Sequence, residues 1–154
     1  MHTPILPVKK LTQVALIVSD IEKTAQAYAT LFGMPMPPIR ETPTEEISKI
    51  RYQDQPTPAR AKIAFFRFEN IDLELIEPIG EPSSWREHLD AHGDSVHHLA
   101  VTVDSCEETA EELAQQGFPS VQTAFFRGGR CALVDTNPAL GVTLELLEFD
   151  KATT

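Results

Sequence analysis

The chain has 154 residues, of which 42% are hydrophobic and 23% are charged, a composition typical of one compact globular unit. Its formal net charge of −10 argues against nucleic acid or an anionic membrane as the main partner, because a phosphate surface attracts basic proteins. No apolar run is long enough to cross a bilayer, and the N-terminus lacks the pattern of a signal peptide. The two cysteines, Cys106 and Cys131, lie outside any Cys-x-x-Cys pattern, so we expect free thiols in a cytoplasmic protein.

The first predicted elements are a strand over residues 11–18 and a helix that follows it directly. Ser19 and Glu22 have the spacing of a capping box, in which the serine side chain accepts a hydrogen bond from a first-turn amide. The helix runs to about Phe32, with apolar residues at helical spacing on one face. Gly33 provides a natural end, because glycine adopts the left-handed conformation at little cost.

The middle of the chain is predicted to be irregular and then extended. Residues 34–60 are rich in proline and charge, which predicts a long loop with one short strand near residues 47–52. Three further elements follow in chain order: strands over residues 62–68 and 71–76, and a linker helix over about residues 82–92 that Ser83 or Ser84 caps.

The second half repeats the plan of the first. A strand over residues 96–103 precedes a second capping box, Ser105 and Glu108, and a helix that ends at Gly117. Strands are then predicted over residues 123–126, 130–135 and 142–149. Under one constant offset, the halves share five identical residues: Ala15/Ala100, Val18/Val103, Glu22/Glu107, Thr24/Thr109 and Ala25/Ala110.

This internal repeat determines the predicted fold. Each half consists of a strand, a helix and two or three further strands, which predicts an α+β protein made of two tandem βαβββ modules. The modules should form a curled mixed sheet around a cavity that holds a metal site. We expect one domain over residues 1–154, divided into module one at about 11–78, the linker helix at about 82–92 and module two at about 95–149.

Four polar residues occupy equivalent places in the two modules. The tripeptide Leu-Glu-Leu occurs twice, centred on Glu74 and Glu145, and the alignment of the first strands makes Gln13 equivalent to His98. Because alternate residues of a strand share a face, all four side chains leave the face that packs under the helices. One imidazole, one amide oxygen and two carboxylates suit a divalent ion such as Zn²⁺, Ni²⁺, Co²⁺ or Mn²⁺.

Each of these residues taken alone has a simpler interpretation. Gln13 is more simply explained as a polar residue at a strand edge, and either glutamate as a solvated residue. His98 is more simply explained as a buried, hydrogen-bonded histidine. His97 is an alternative ligand, although strand parity favours His98. The duplicated placement of the whole set is what favours a metal site. Three weaker candidates for binding a carboxylate or phosphate are Arg51, Arg127 and Arg130.

The arrangement resembles the vicinal oxygen chelate superfamily over nearly the whole chain, from about Leu11 to Glu148. That superfamily includes glyoxalase I, methylmalonyl-CoA epimerase and the extradiol dioxygenases. Ligands on the first and last strands of each module are typical of it. One ligand pattern of glyoxalase I is similar to the set Gln13, Glu74, His98 and Glu145. The linker at residues 77–89, together with residues 96–100, is more similar to the epimerase branch.

The resemblance implies a metal-dependent lyase or isomerase that moves a proton next to a carbonyl group of a small thioester, thiohemiacetal or keto substrate. Glu145 is the first choice for the residue that moves the proton and Glu74 the second. The resemblance also implies a homodimer. The sequence departs from the epimerase branch in having Gln13 where most members have histidine, and in lacking a second acid–base carboxylate over residues 62–68. An alternative is a non-catalytic protein of the same fold that sequesters a small molecule.

Overall fold

Ten strands and five helices make up most of the structure, a computed structural model that describes residues 3–152. The strands are β1 (Gln13–Ile17), β2 (Arg40–Glu41), β3 (Arg51–Tyr52), β4 (Gln55–Pro56), β5 (Arg60–Arg67), β6 (Asp72–Ile79), β7 (Ser95–Thr102), β8 (Ser120–Phe126), β9 (Gly129–Val134) and β10 (Thr143–Phe149). The helices are α1 (Ile21–Phe32), α2 (Glu45–Ser48), α3 (Ser84–His92), α4 (Cys106–Gln115) and α5 (Asn137–Leu140). Within residues 3–152, no helix has the length and hydropathy needed to span a bilayer.

These strands form one mixed sheet in the order β2-β5-β6-β1-β7-β10-β9-β8-β3-β4. Module one contributes β2-β5-β6-β1, and module two contributes the equivalent strands in reversed order, β7-β10-β9-β8. The first and last strands of each module pair in parallel. The modules join where β1 and β7 pair antiparallel, a junction that we call the seam. The predicted α+β fold with a curled mixed sheet is therefore confirmed.

The helices α1 and α4 cover one face of the sheet, as the strand alternation predicts, whereas Trp85 of α3 packs against the other face. Leu73 and Leu75 of β6 pack against Ile21 and Ala25 of α1, and this cluster forms the core of module one. Full burial of one such large aliphatic side chain stabilises the fold by about 1.5–3 kcal/mol. The second module repeats the cluster between its own strands and α4, with Val101, Leu144, Leu146, Cys106 and Leu113.

The module-one core provides a direct test of this packing. Leu75 is fully buried, whereas Leu31 on α1 is 81% exposed. We expect Leu75→Ala to lower the free energy of unfolding by about 2–5 kcal/mol, because the truncation leaves a cavity in the core. Leu31→Ala, the same chemical change at the surface, should alter it by less than about 0.5 kcal/mol. Denaturant unfolding followed by circular dichroism measures both variants, and equal losses would contradict this assignment of the core.

A carboxylate from the last strand of each module holds the start of that module's helix. Glu77 Oε2 accepts a hydrogen bond from the Ile21 amide at 2.8 Å, and Glu148 Oε2 accepts one from the Cys106 amide at 2.8 Å. Negative charge at a helix N-terminus also interacts favourably with the helix dipole. Glu77 and Glu148 occupy equivalent places after the two Leu-Glu-Leu tripeptides, so the repeat includes this contact.

Two of the three predicted helix caps are correct, and one of these is Ser83, which caps α3 by accepting a hydrogen bond from the Arg86 amide. Ser105 caps α4 by accepting a hydrogen bond from the Glu108 amide, which confirms the prediction. The prediction for α1 was wrong by one residue, because Asp20 is the N-cap and accepts from an amide of the first turn. Aspartate caps helices as well as serine does, and the backbone amide of Ser19 donates instead to Asp94 Oδ1 at 3.0 Å.

The segment at residues 34–60 is more regular than the predicted loop. It contains β2, α2 and the β3–β4 hairpin. The strand predicted near residues 47–52 is confirmed only at Arg51–Tyr52, because α2 extends to Ser48. Since β3 pairs with β8, this segment of module one reaches the far edge of module two. The hydroxyl of Thr57 supports the crossing by donating to the Pro82 carbonyl at 2.7 Å.

Candidate metal site

Four consecutive strands at the centre of the sheet carry the four predicted ligands. Glu74 lies on β6, Gln13 on β1, His98 on β7 and Glu145 on β10. The seam runs through the middle of this set, with two of the residues on each side of it. The site is thus assembled from both modules within one chain.

Two alanines lie between the four polar residues, because each alanine pairs with one polar residue on each neighbouring strand. Ala15 pairs with both Glu74 and His98, and Ala100 pairs with both Gln13 and Glu145. Paired residues of neighbouring strands project on the same face with their Cβ atoms about 4.5–5.5 Å apart. A larger side chain at either alanine would occupy the space between the polar groups. The sequence showed these alanines only as identical positions of the repeat, and their place in the site follows from the register.

Three of the four predicted ligands converge on one point. His98 Nε2 lies 3.5 Å from Glu74 Oε2 and 3.5 Å from Glu145 Oε2. One potential ligand atom from each of the three residues lies within 4.8 Å of the other two. Atoms that bind one zinc ion at about 2.0–2.2 Å are themselves roughly 3–3.5 Å apart. The spacing in the protein is therefore close to that of a ligand set.

Two atoms of the candidate site are buried without a hydrogen-bond partner among residues 3–152. They are Gln13 Oε1 and His98 Nε2. Leaving such an atom unpaired in a protein interior costs about 1–3 kcal/mol. An amide oxygen and an imidazole nitrogen can each present a lone pair, which is what a divalent ion needs from its ligands. The residues present therefore fit a bound metal ion.

The charged groups of the cluster change one another's protonation. Burial raises the pKa of Glu145 to about 7; His98 acts in the opposite direction, and Glu74 adds to the rise. Burial by itself would lower the pKa of His98, but Glu145 and then Glu74 outweigh that effect, and the pKa is raised. Protons therefore stay in the cluster near neutral pH, and an incoming cation would have to displace them.

A cavity of about 610 Å³ adjoins the cluster. Gln13, Glu74 and Glu145 line it, whereas His98 is fully buried behind them. The remaining walls are mainly apolar and aromatic, and they include Ile63, Phe65, Phe68, Trp85, Phe125 and Phe126. The segment at residues 34–60 also contributes to the walls, so it shapes the space beside the ligands.

The three arginine candidates have different surroundings. Arg127 lines the cavity at the turn between β8 and β9, where it is exposed. The guanidinium of Arg51 donates to the backbone carbonyl of Asp54. The guanidinium of Arg130 lies over the Phe125 ring, 5.1 Å from its centroid. Of the three, only Arg127 is placed to meet a molecule in the cavity.

His97 has a place that the sequence did not predict. The ladder between β1 and β7 shifts its register here, since Ala15 pairs with His98 and Leu16 pairs with Val96. The resulting bulge leaves His97 unpaired and brings its ring to that of His98, with their Nδ1 atoms 2.9 Å apart. In a regular strand these neighbours would face opposite sides. In the sequence, the two adjacent histidines indicated only that either of them could be the ligand. They did not indicate that the two rings are in contact.

The comparison with known families settles the fold family. Residues 12–133 match the model of the glyoxalase/bleomycin resistance protein/dioxygenase superfamily. The chain belongs to this superfamily. Its membership confirms the resemblance that the repeated modules and the polar constellation indicated. The description of the superfamily covers glyoxalases, resistance proteins and dioxygenases, so membership is compatible with several functions.

The individual proteins that are similar to this chain are distant from it in sequence. A hypothetical protein from Bacillus halodurans C-125 is 23% identical, with a TM-score of 0.66 over 94% of this chain and 97% of that chain. Methylmalonyl-CoA epimerase from Mycobacterium tuberculosis is 19% identical, with a TM-score of 0.62 over 98% of this chain and 93% of that chain. The uncharacterized protein YqjC of Bacillus subtilis (strain 168) is 26% identical over 100 residues, 63% of this chain and 71% of that protein. The structural likeness shows the shared fold, and the reaction must be argued from the site.

Proposed function

We propose that the protein is a metal-dependent enzyme that moves a proton next to a carbonyl group, as a lyase or isomerase of the glyoxalase I or epimerase type. The observation that carries the proposal is the position of His98 Nε2, unpartnered and 3.5 Å from Glu74 and from Glu145. Both glutamates also face the cavity, so an ion held there could meet a small molecule. A small thioester, thiohemiacetal or keto compound suits this chemistry.

Four residues would hold the ion. These are Gln13 through Oε1, His98 through Nε2, and Glu74 and Glu145 through one carboxylate oxygen each. This mixture of ligands suits Zn²⁺, Ni²⁺, Co²⁺ or Mn²⁺, and the two carboxylates offset the double charge of the ion. When bound, the ion would supply Lewis acidity toward a carbonyl oxygen and stabilise negative charge that develops on it.

Glu145 is the residue that we propose to move the proton, with Glu74 as the second choice. A carboxylate beside the carbon next to the carbonyl can take its proton and return it to a neighbouring atom. Both residues line the cavity, and burial suits Glu145 to this role because it raises the pKa of that carboxyl and so stabilises the protonated form that arises during the transfer. The apolar walls limit the access of water, so the proton can be returned to the substrate.

The available carboxylates favour a reaction with one acid–base site. Epimerisation of the methylmalonyl type needs two opposed groups, one on each side of the substrate carbon. β5 carries no carboxylate, Asp72 at the cavity wall is paired with Arg67, and Glu69 at the cavity wall is exposed in the turn between β5 and β6. Glu74 and Glu145 both border the same histidine nitrogen. A glyoxalase-type proton transfer is therefore our first choice and epimerisation the second.

Proton exchange with solvent tests this proposal. Protein loaded in turn with Zn²⁺, Ni²⁺, Co²⁺ or Mn²⁺ is incubated in D₂O with methylglyoxal hemithioacetal or with 2-substituted acyl-CoA thioesters. We expect proton NMR to show loss of the signal next to the carbonyl, or an isomerised product, and we expect a chelator to abolish it. If none of the four ions supported exchange or turnover with either substrate class, the enzyme proposal would fail.

A second candidate function is non-catalytic binding and sequestration of a small molecule. The size and the mainly apolar lining of the cavity favour it. Equilibrium dialysis distinguishes the two functions, because a sequestering protein would keep tight binding of its ligand after treatment with a chelator.

We also propose a homodimer. The three-residue cluster forms within one chain, so a partner subunit is not needed to complete it.

A further inference from the structure

His97 connects His98 to the start of α3. Its Nδ1 lies 2.9 Å from Nδ1 of His98, and its Nε2 lies 2.9 Å from Oγ of Ser84. Ser84 is itself held in place, because its backbone amide donates to the buried Gln122 Oε1 at 2.8 Å. The side chains of His98, His97 and Ser84 thus form one continuous chain of hydrogen bonds that leads away from the cavity.

The direction of one hydrogen bond in this chain fixes the direction of the next. A neutral imidazole donates from one ring nitrogen and accepts at the other, and two N–H groups cannot face each other. In the first arrangement, His98 Nδ1 donates to His97 Nδ1, and His97 Nε2 donates to Ser84 Oγ. In the reverse arrangement, Ser84 donates to His97 and His97 donates to His98. The proton of His98 then lies on Nε2.

A metal ion bound at His98 Nε2 would require the first arrangement. Without a cation, the carboxylates of Glu74 and Glu145, 3.5 Å from Nε2, attract a proton to that nitrogen. An ion between the three residues would instead need the Nε2 lone pair, and Nε2 has no other partner among residues 3–152. The remaining proton of His98 then lies on Nδ1, where His97 Nδ1 can accept the hydrogen bond.

We propose that His97 is a positioning residue that stabilises the Nδ1-protonated tautomer of His98, which leaves Nε2 free to bind a divalent ion. This inference rests on the proposed metal site, but it concerns a residue that would touch neither the ion nor the substrate. Histidine ligands are commonly oriented by a group that accepts from their second nitrogen. Here an imidazole takes that role, and the bulge in β7 makes the contact between neighbouring residues possible.

The hydrogen bond between the two histidines can be measured in protein loaded with Zn²⁺. We expect a two-bond ¹⁵N–¹H correlation spectrum of ¹⁵N-histidine-labelled, Zn²⁺-loaded protein to show His98 protonated at Nδ1, with this proton shifted downfield by its bond to His97. In His97→Phe, which keeps an aromatic ring but removes the acceptor, the downfield shift should be lost. In His97→Asn, Oδ1 can take the place of Nδ1 as the acceptor, so the shift should return. A wild-type His98 that bound Zn²⁺ through Nδ1 would overturn the inference.

Metal affinity provides the second readout. We expect His97→Phe to bind Zn²⁺ about 10–100-fold more weakly than wild type, measured by competition with a chromophoric chelator. His97→Asn should lie within a few-fold of wild type, and Ser84→Ala should show a smaller loss than His97→Phe. Amide spectra and thermal melting establish that each variant is folded. If His97→Phe does not fold, the wild-type tautomer and Ser84→Ala decide the matter.

The two proposals fail in different ways. Equal Zn²⁺ affinity of wild type and folded His97→Phe would overturn the role of His97 and leave the metal site intact. Wild-type protein that bound no divalent ion would overturn the proposed function and, with it, the role of His97.

Discussion

Replacement of Glu74 and Glu145 by alanine should remove almost all of the divalent metal from the protein, which we expect to hold about one ion per chain in its wild-type form. The two residues supply both negative charges of the candidate site, and each lies 3.5 Å from His98 Nε2. Without them, a divalent ion would be buried beside uncharged ligands, which is strongly unfavourable. Plasma mass spectrometry of protein purified without a histidine tag, after incubation with each candidate ion and gel filtration, measures the metal content.

A matched control separates loss of ligands from loss of charge. Glu22 and Glu107 are also an equivalent pair of the repeat, but both are exposed, on α1 and α4. The Glu22→Ala/Glu107→Ala variant changes the net charge by the same amount and should retain about one ion per chain. Equal metal content in the two double variants would exclude the proposed site. Absence of metal from the wild type with all four ions would favour the sequestration function instead.

Conversion of Glu145 to glutamine should lower kcat/KM by about 10²–10⁴ while metal remains bound. The amide keeps an oxygen that can act as a ligand, but it cannot take up a proton from the substrate. Steady-state kinetics with the substrate identified by the exchange experiment, together with metal analysis of the same preparation, measures both properties. Unchanged turnover would eliminate Glu145 as the proton-transferring group.

Glu74→Gln is the comparison that assigns the role between the two carboxylates. Glu74 lies at the same distance from His98 Nε2 and is as deeply buried as Glu145. If Glu145 moves the proton, the loss for Glu74→Gln should be clearly smaller than that for Glu145→Gln. The opposite order would transfer the role to Glu74, and equal large losses would indicate that both carboxylates take part.

The repeated modules and the faces of their strands could be predicted from the sequence because both depend on local patterns. The alternation around Glu74 and Glu145 is explicit in two Leu-Glu-Leu tripeptides, and it correctly places the leucines under the helices. Gly33 ends α1 in the left-handed conformation, as predicted. These features are set by side-chain periodicity and by the conformational freedom of glycine, and neither requires knowledge of distant contacts.

Other features depend on contacts between segments that are far apart in the sequence. Ser19 and Asp20 are equally suitable as caps by residue type. In the structure Asp20 caps α1, and the backbone amide of Ser19 donates to Asp94, a residue far away in the sequence. The bulge that brings His97 to His98 is a mismatch between two strands, so neither strand reveals it alone. The pairing of β3 with β8 likewise joins segments from different modules.

The position of the seam has a consequence for stability. Gln13 and Glu74 come from one module, and His98 and Glu145 come from the other, on strands that meet across β1 and β7. An ion shared by these residues would act as a cross-link between the two halves of the chain. Any conformation in which the halves separate would lose the ion, so the free energy of binding would add to the free energy of unfolding. At an ion concentration 100-fold above the dissociation constant this contribution is about 2.7 kcal/mol.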